Sequence, residues 1–145
     1  MVDETLYEKD DLADYARLSN VTDSGGRYSG PSRQTLLKDA LGVEVKSVCS
    51  GGYQGTWLFI LVVNDTLWLL KDSYGSCSYC DGLMGASGDD AVRDYAENMM
   101  RNAYAFESKN DAVRFLHQKA DEGYRYHGWP SVADGGIKKL SDIDY

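Results

Sequence analysis

The chain has 145 residues, 43% apolar and 26% charged, with 15 Lys and Arg against 23 Asp and Glu for a net charge of −8. That length supports a single domain with one sizeable core, and the balance excludes collagen-like, fibrous and wholly disordered classes. The longest apolar run, Trp57 to Val63, falls far short of the ~20 residues that span a membrane, and the acidic start Met1-Val2-Asp3-Glu4 is unlike a signal peptide, so a cytosolic protein with no membrane partner is expected.

Residues 3–18 have helix-compatible composition, with Leu12, Tyr15 and Ala16 on one face and Asp10, Asp11 and Asp14 among the rest, and predict a short helix. The Gly-rich stretch 19–30 reads as a loop. Pro31 as a first-turn proline, the apolar set Leu36, Leu37, Ala40 and Leu41, and Gly42 as a stop predict a helix over 31–41. From Val43 the period changes: Val43, Val45 and Ser47 alternate with Glu44, Lys46 and Val48, as in a half-exposed strand.

Thr56–Val63 and Thr66–Lys71 are β-rich runs separated by Asn64-Asp65, a pair suited to a two-residue hairpin turn. The first arm is apolar on both faces, so both need cover from helices or a partner chain. Asp90 to Tyr104 places Val92, Tyr95, Ala96, Met99, Met100 and Ala103 on one stripe of an amphipathic helix. Ser108 with Asp111 three residues on resembles a capping box, opening a helix to about Ala120 with Val113, Leu116 and Ala120 inward and Gly123 as its end. Tyr124 to Trp129 fits an edge strand, and no element is assigned in the tail to Tyr145. The predicted fold class is α+β: an antiparallel sheet built on a central hairpin, with helices flanking it and packed on it. Residues 1–30 form an N-terminal helix and loop, 31–122 the core and 123–145 a C-terminal extension of the one domain.

Two unusual loops, 49–55 and 72–82, leave the same end of the predicted sheet, because the hairpin turn lies at the other. Together they hold Cys49, Cys77, Cys80, Tyr53, Tyr74, Tyr79, Gln54, Ser76 and Asp81. Tyr53-Gln54-Gly55 and Tyr74-Gly75-Ser76-Cys77-Ser78-Tyr79-Cys80-Asp81 resemble a group of small uncharacterised bacterial and phage proteins that share these motifs around an apolar hairpin. The resemblance spans about 35 residues. An acidic residue tends to follow the first motif in that group and glycine to stand between the cysteines, where this chain has Thr56 and Tyr79. It implies kinship and carries no activity with it.

Three cysteines in a reducing compartment argue against a disulfide framework. Cys77 and Cys80 have a spacing that clasps zinc, with Cys49 as a third ligand and His117, His127 or Asp81 as a fourth; a closed site needs four. A thioredoxin-like role needs a βαβ setting that is missing, and the simplest reading is small residues packed in a tight turn. His117 and His127 read as packing histidines, and Asp89-Asp90 as the favourable start of a helix.

The acid excess concentrates in residues 1–20 and 86–122. Such a field opposes direct binding to nucleic acid. Asp90, Asp94 and Glu97, with eleven tyrosines in the chain, instead suit a protein partner with a basic surface. The favoured function is therefore a non-enzymatic accessory or inhibitor protein, phage-encoded by the resemblance, whose acidic surface mimics nucleic acid; self-association stays open. No complete catalytic constellation is visible. The alternative is a small metal- or thiol-dependent module at Cys49, Cys77 and Cys80, binding Tyr53, Gln54, Tyr74, Ser76 and Asp81 into the same site.

Overall fold

A computed structural model describes residues 11–23, 32–52, 54–75, 81–122 and 128–145. At its centre lies the hairpin of β2 (Gly55–Val63) and β3 (Thr66–Tyr74), in register from Val63 opposite Thr66 to Gly55 opposite Tyr74. Asn64 and Asp65 both adopt left-handed backbone, φ 54° and 59°, the geometry of a type I′ turn whose twist matches the flanking strands. β1 (Val45–Cys49) pairs with β2, and β4 (Tyr104–Phe106) with β3, so the antiparallel sheet runs in the order β1-β2-β3-β4.

Alternation along β2 and β3 creates two cores. Phe59, Leu61, Val63, Trp68 and Leu70 pack on one face with Leu36 and Leu37 of α1 (Arg33–Leu41), with Val92, Ala96 and Met100 of α3 (Asp89–Arg101), and with Leu12 and Val21. Leu58, Ile60, Leu67 and Leu69 face the other way, against Phe115 and Leu116 of α4 (Lys109–Ala120) and Trp129, Val132 and Leu140 of α5 (Trp129–Leu140). The remaining helix, α2, is one turn over Gly82–Gly85. The α+β class and the helices packed on the sheet are as the pattern implies, and the two-sided apolar strand is covered by this chain's own helices.

Local signals set most boundaries. Ser32 caps α1, its Oγ accepting from the Thr35 N–H at 3.1 Å, and Gly42 ends it in the left-handed region at φ 68°. The helix begins at Arg33 after its Ser32 cap, and the expected first-turn Pro31 lies outside the described residues. Ser108 caps α4 through the Asp111 N–H at 3.1 Å. The inward face of α4 is Ala112, Phe115, Leu116 and Lys119, whereas Val113 and Ala120 are half-buried.

Other expectations are corrected. The predicted first helix is, over its described part, two 3₁₀ turns, Leu12–Tyr15 and Leu18–Asn20; of its apolar trio only Leu12 is buried and Tyr15 stands exposed. β1 begins at Val45 and not Val43. The strand expected over Tyr124–Trp129 is not found at its described end, where Trp129 opens α5, and the fourth strand is Tyr104–Phe106 instead. Within the expected C-terminal extension, α5 packs into the second core: a Cβ on Gly136 would fall 2.5 Å from Leu58 and 2.9 Å from Leu116, so α5 reaches the sheet because that residue has no side chain. Among the described residues no helix is long and apolar enough to cross a membrane.

A non-glycine residue in left-handed backbone carries a steric cost, reduced for Asn and Asp. Asp65→Gly is therefore expected to raise stability by about 0.5 kcal/mol, read as a higher urea midpoint at unchanged slope.

Candidate functional site

The end of the sheet opposite the turn is organised by Arg33, which sits at the first position of α1 and is 8% exposed. Its Nε lies 2.6 Å from Asp72 Oδ2, and its Nη2 donates to Asp81 Oδ1 at 2.8 Å, to the Ser73 carbonyl at 2.9 Å and to the Tyr95 hydroxyl at 3.1 Å. Tyr95, from α3, donates in turn to the same Asp72 oxygen. Asp81 also accepts from the N–H groups of Leu83 and Met84, capping α2, and its second oxygen accepts from the Gly75 N–H at 2.9 Å. One carboxylate thus ties together the residues on either side of 76–80.

The cluster sets two carboxylates against one guanidinium, and backbone N–H groups supply the remaining donors. Burial alone would push the Asp81 carboxyl up, but the Gly75 N–H, the Arg33 guanidinium and the Met84 N–H outweigh it and hold the group below the ordinary carboxylate range. For Arg33 burial acts downward, and the bonds to Asp72 and Asp81 overcome it, leaving the guanidinium more firmly protonated than in water. Burial and the Asp72 carboxylate push the Tyr95 phenol up, so it stays a neutral donor. Two acids, one cation and a phenol satisfy one another in this arrangement, which positions backbone.

The second half of this end is built on Tyr74 and Cys49. Tyr74 donates to the Gly52 carbonyl at 3.1 Å and accepts from the exposed Cys49 thiol at 3.3 Å. Burial, then Cys49, push this phenol up. The Gly51 N–H donates to Cys49 Sγ at 3.3 Å. Gly55 lies beneath the ring: a Cβ there would come within 2.3 Å of Ser50 Oγ and 2.7 Å of the Tyr74 hydroxyl. Beside it, on the α5 side of the sheet, an open cavity of about 400 Å³ is lined by Thr56, Lys71, Ser73, Tyr104 and Trp129 among others.

The two loops therefore converge as expected through Cys49, Tyr74, Gly75 and Asp81. Tyr53, Ser76, Cys77 and Cys80 lie outside the described residues, as does His127. Gln54 is exposed beside the cluster. Asp81 is a poor zinc ligand, because both its oxygens are committed to Arg33 and to backbone N–H groups. His117 is exposed on α4, and among the described residues no group of three or more His, Cys, Asp or Glu is placed to hold a metal ion.

The acidic residues lie on another face. Asp90 and Asp94 are exposed on α3 and form no ion pair among the described residues, whereas Glu97 pairs with Arg101, which also reaches Asp11. Asp89 accepts from the Asp23 N–H and sits 4.0 Å from Arg93. Sequence reasoning missed Arg33, Asp72 and Tyr95 as a unit. A signal existed for the first: Arg33 precedes Leu36 and Leu37 at i+3 and i+4, which places it on the buried face of α1. No protein-family model, curated protein or solved structure matches the chain.

Arg33→Met is expected to cost about 3 kcal/mol in urea unfolding, the lower end for a broken buried pair, since the Asp72 side chain keeps 20% exposure. In the unfolded chain Asp81 titrates near 4, above its native value. Its contribution is thus complete at neutral pH, begins to fall as pH drops through the ordinary carboxylate range, and is lost below the native value. Asp81→Asn should therefore lower stability at pH 7 and flatten its decline between about pH 5 and 2.

Proposed function

We propose that the protein is a non-enzymatic binding protein that presents an acidic, tyrosine-bearing surface to a basic site on another protein. The observation that carries this reading is at the hairpin turn. Tyr15 and Tyr145 are large side chains left exposed, at 47% and 39%, and each is anchored to one residue of the turn. The Tyr15 hydroxyl accepts from Asn64 Nδ2 at 3.3 Å with its ring edge-on to Trp68, and Tyr145 donates to the Asp65 carbonyl at 2.9 Å. Held rings of this kind offer contact area at small entropic cost.

Exposed carboxylates adjoin them in the chain: Asp14 beside Tyr15, Asp65 in the turn and Asp144 beside Tyr145. Asp11 pairs with Arg101 of α3, so the first 3₁₀ turn adjoins the helix that carries the exposed Asp90 and Asp94. Opposite fields speed encounter and are screened over about 8 Å at physiological salt. Repulsion from nucleic-acid phosphate follows from the same charge.

Binding to a polylysine-coated surface tests whether this side is specific. Asp14→Lys/Asp65→Lys/Asp94→Lys is expected to slow association far more than Asp39→Lys/Asp121→Lys/Asp134→Lys, which changes net charge equally on other exposed sites. Tyr15→Ala/Tyr145→Ala should speed dissociation. Equal loss in the two triple variants would reduce the effect to net charge and overturn the reading.

A second reading, a thiol- or zinc-dependent module, is favoured by one observation: Asp81 ties the residues flanking the Cys77 and Cys80 segment to the end of the sheet where Cys49 is exposed. Thiolates must lose protons to bind zinc, so under this reading native mass spectrometry shows one zinc that is lost on acidification and in Cys80→Ser.

A further inference from the structure

The two edges of the sheet differ. Residues 63 and 66 flank a two-residue turn and so exchange hydrogen bonds, which directs Leu67 and Leu69 of β3 toward β4 and leaves only the Ala105 backbone pointing outward there. That edge is short, and the Tyr145 hydroxyl also closes on the carbonyls of Phe106 and Glu107. On β1 the Ser50 N–H donates to the Thr56 carbonyl at 2.9 Å, so the even residues bond to β2. Val45, Ser47 and Cys49 therefore turn their N–H and C=O groups away from the sheet. Among the described residues no strand meets them.

This open edge lies between α1 and α5 and forms the floor of a cavity of about 1030 Å³. Gln34 of α1 sits in it as a stand-in for a neighbouring strand: its Nε2 donates to the Val45 carbonyl, and its Oε1 accepts from Ser47 Oγ at 3.4 Å. The lining carries three lysines, Lys38, Lys46 and Lys139, against Asp39 and Glu44, a small positive excess in a chain that is otherwise acidic. Lys38 of α1 and Lys139 of α5 line the cavity from opposite faces of the sheet and carry no ion pair among the described residues, and Lys46 of β1 pairs with Glu44 at 2.8 Å.

We propose that β1 is a docking edge for an extended, acidic segment of a partner polypeptide, which adds as a fifth strand between α1 and α5. The segment's backbone bonds to Val45, Ser47 and Cys49. Its side chains alternate between the two faces, so carboxylates on one set of positions meet Lys38 and those on the other meet Lys139. This edge is distinct from the acidic side around the turn and takes a ligand of the opposite charge.

The test uses the whole chain and an acetylated, amidated peptide of Val, Thr and Glu about seven residues long, enough to span a five-residue strand, alongside the same peptide with Lys in place of Glu. Hydrogen exchange followed by NMR is expected to show the Ser47 and Cys49 N–H groups slowed by the Glu peptide and unaffected by the Lys peptide. Lys38→Glu/Lys139→Glu should weaken binding about tenfold, as two attractive contacts become repulsive. Ser47→Pro removes an outward donor without touching a bond to β2, and should abolish binding. Gln34→Ala frees the Val45 carbonyl and should bind at least as tightly; it keeps the proposal testable if the proline variant fails to fold. Equal binding of both peptides, no slowing at Ser47 and Cys49, or slowing there that tracks protein concentration and dimer formation instead of peptide would each overturn the proposal, the last by making a second copy the occupant.

Discussion

The fold depends on one constraint, that β2 is apolar on both faces. A strand with Leu58, Ile60 and Phe59, Leu61 on opposite sides leaves no face for water, so helices must cover both. The chain meets this by supplying α1 and α3 from one side and α4 and α5 from the other. The strands follow one another as a simple meander because the helices sit before, between and after them. Polar side chains gather at the two ends of the sheet.

The two ends are built by different physics. At one, Arg33 holds Asp72, Asp81 and Tyr95 in a closed set of hydrogen bonds. A buried ion pair of this kind contributes little net stability compared with apolar packing, yet its loss is costly, so what it supplies is placement of backbone. It places Gly75 and Asp81 beside each other and aligns α2. At the other end, tyrosine hydroxyls clamp a two-residue turn from both sides. Two exposed aromatic rings are thereby held beside the exposed carboxylates Asp14, Asp65 and Asp144.

Much of the architecture was legible because its signals are local. The Asn64-Asp65 turn, the Ser108 cap, the Gly42 stop and the stripe of α3 each rest on residues within a few positions of one another. α5 escaped for the opposite reason. Pro130, Asp134, Gly135 and Gly136 are poor helix formers, and the helix exists because the glycines let it press against Leu58, Leu116 and Val48. β4, at three residues, is too short to show a period. The Arg33 cluster joins residues up to 62 positions apart, so only the Arg33 position on an apolar face hinted at it. The convergence of the two loops could be read from hairpin topology alone, whereas the division of carboxylates into paired and free depended on where Arg93 and Arg101 fall.

The two-sided strand also partitions how the protein can vary. Phe59 and Ile60 are covalent neighbours, yet their side chains belong to different cores and share no packing partner. Phe59 and Leu36, far apart in the chain, belong to the same one. Compensating changes should therefore follow cores and not sequence proximity, since energetic coupling requires shared contacts. One half of the molecule can be rebuilt over evolutionary time while the other stays fixed. The layer beneath α1 and α3 is bounded further by the Arg33 cluster, and the layer beneath α4 and α5 by the glycines that let α5 approach the sheet.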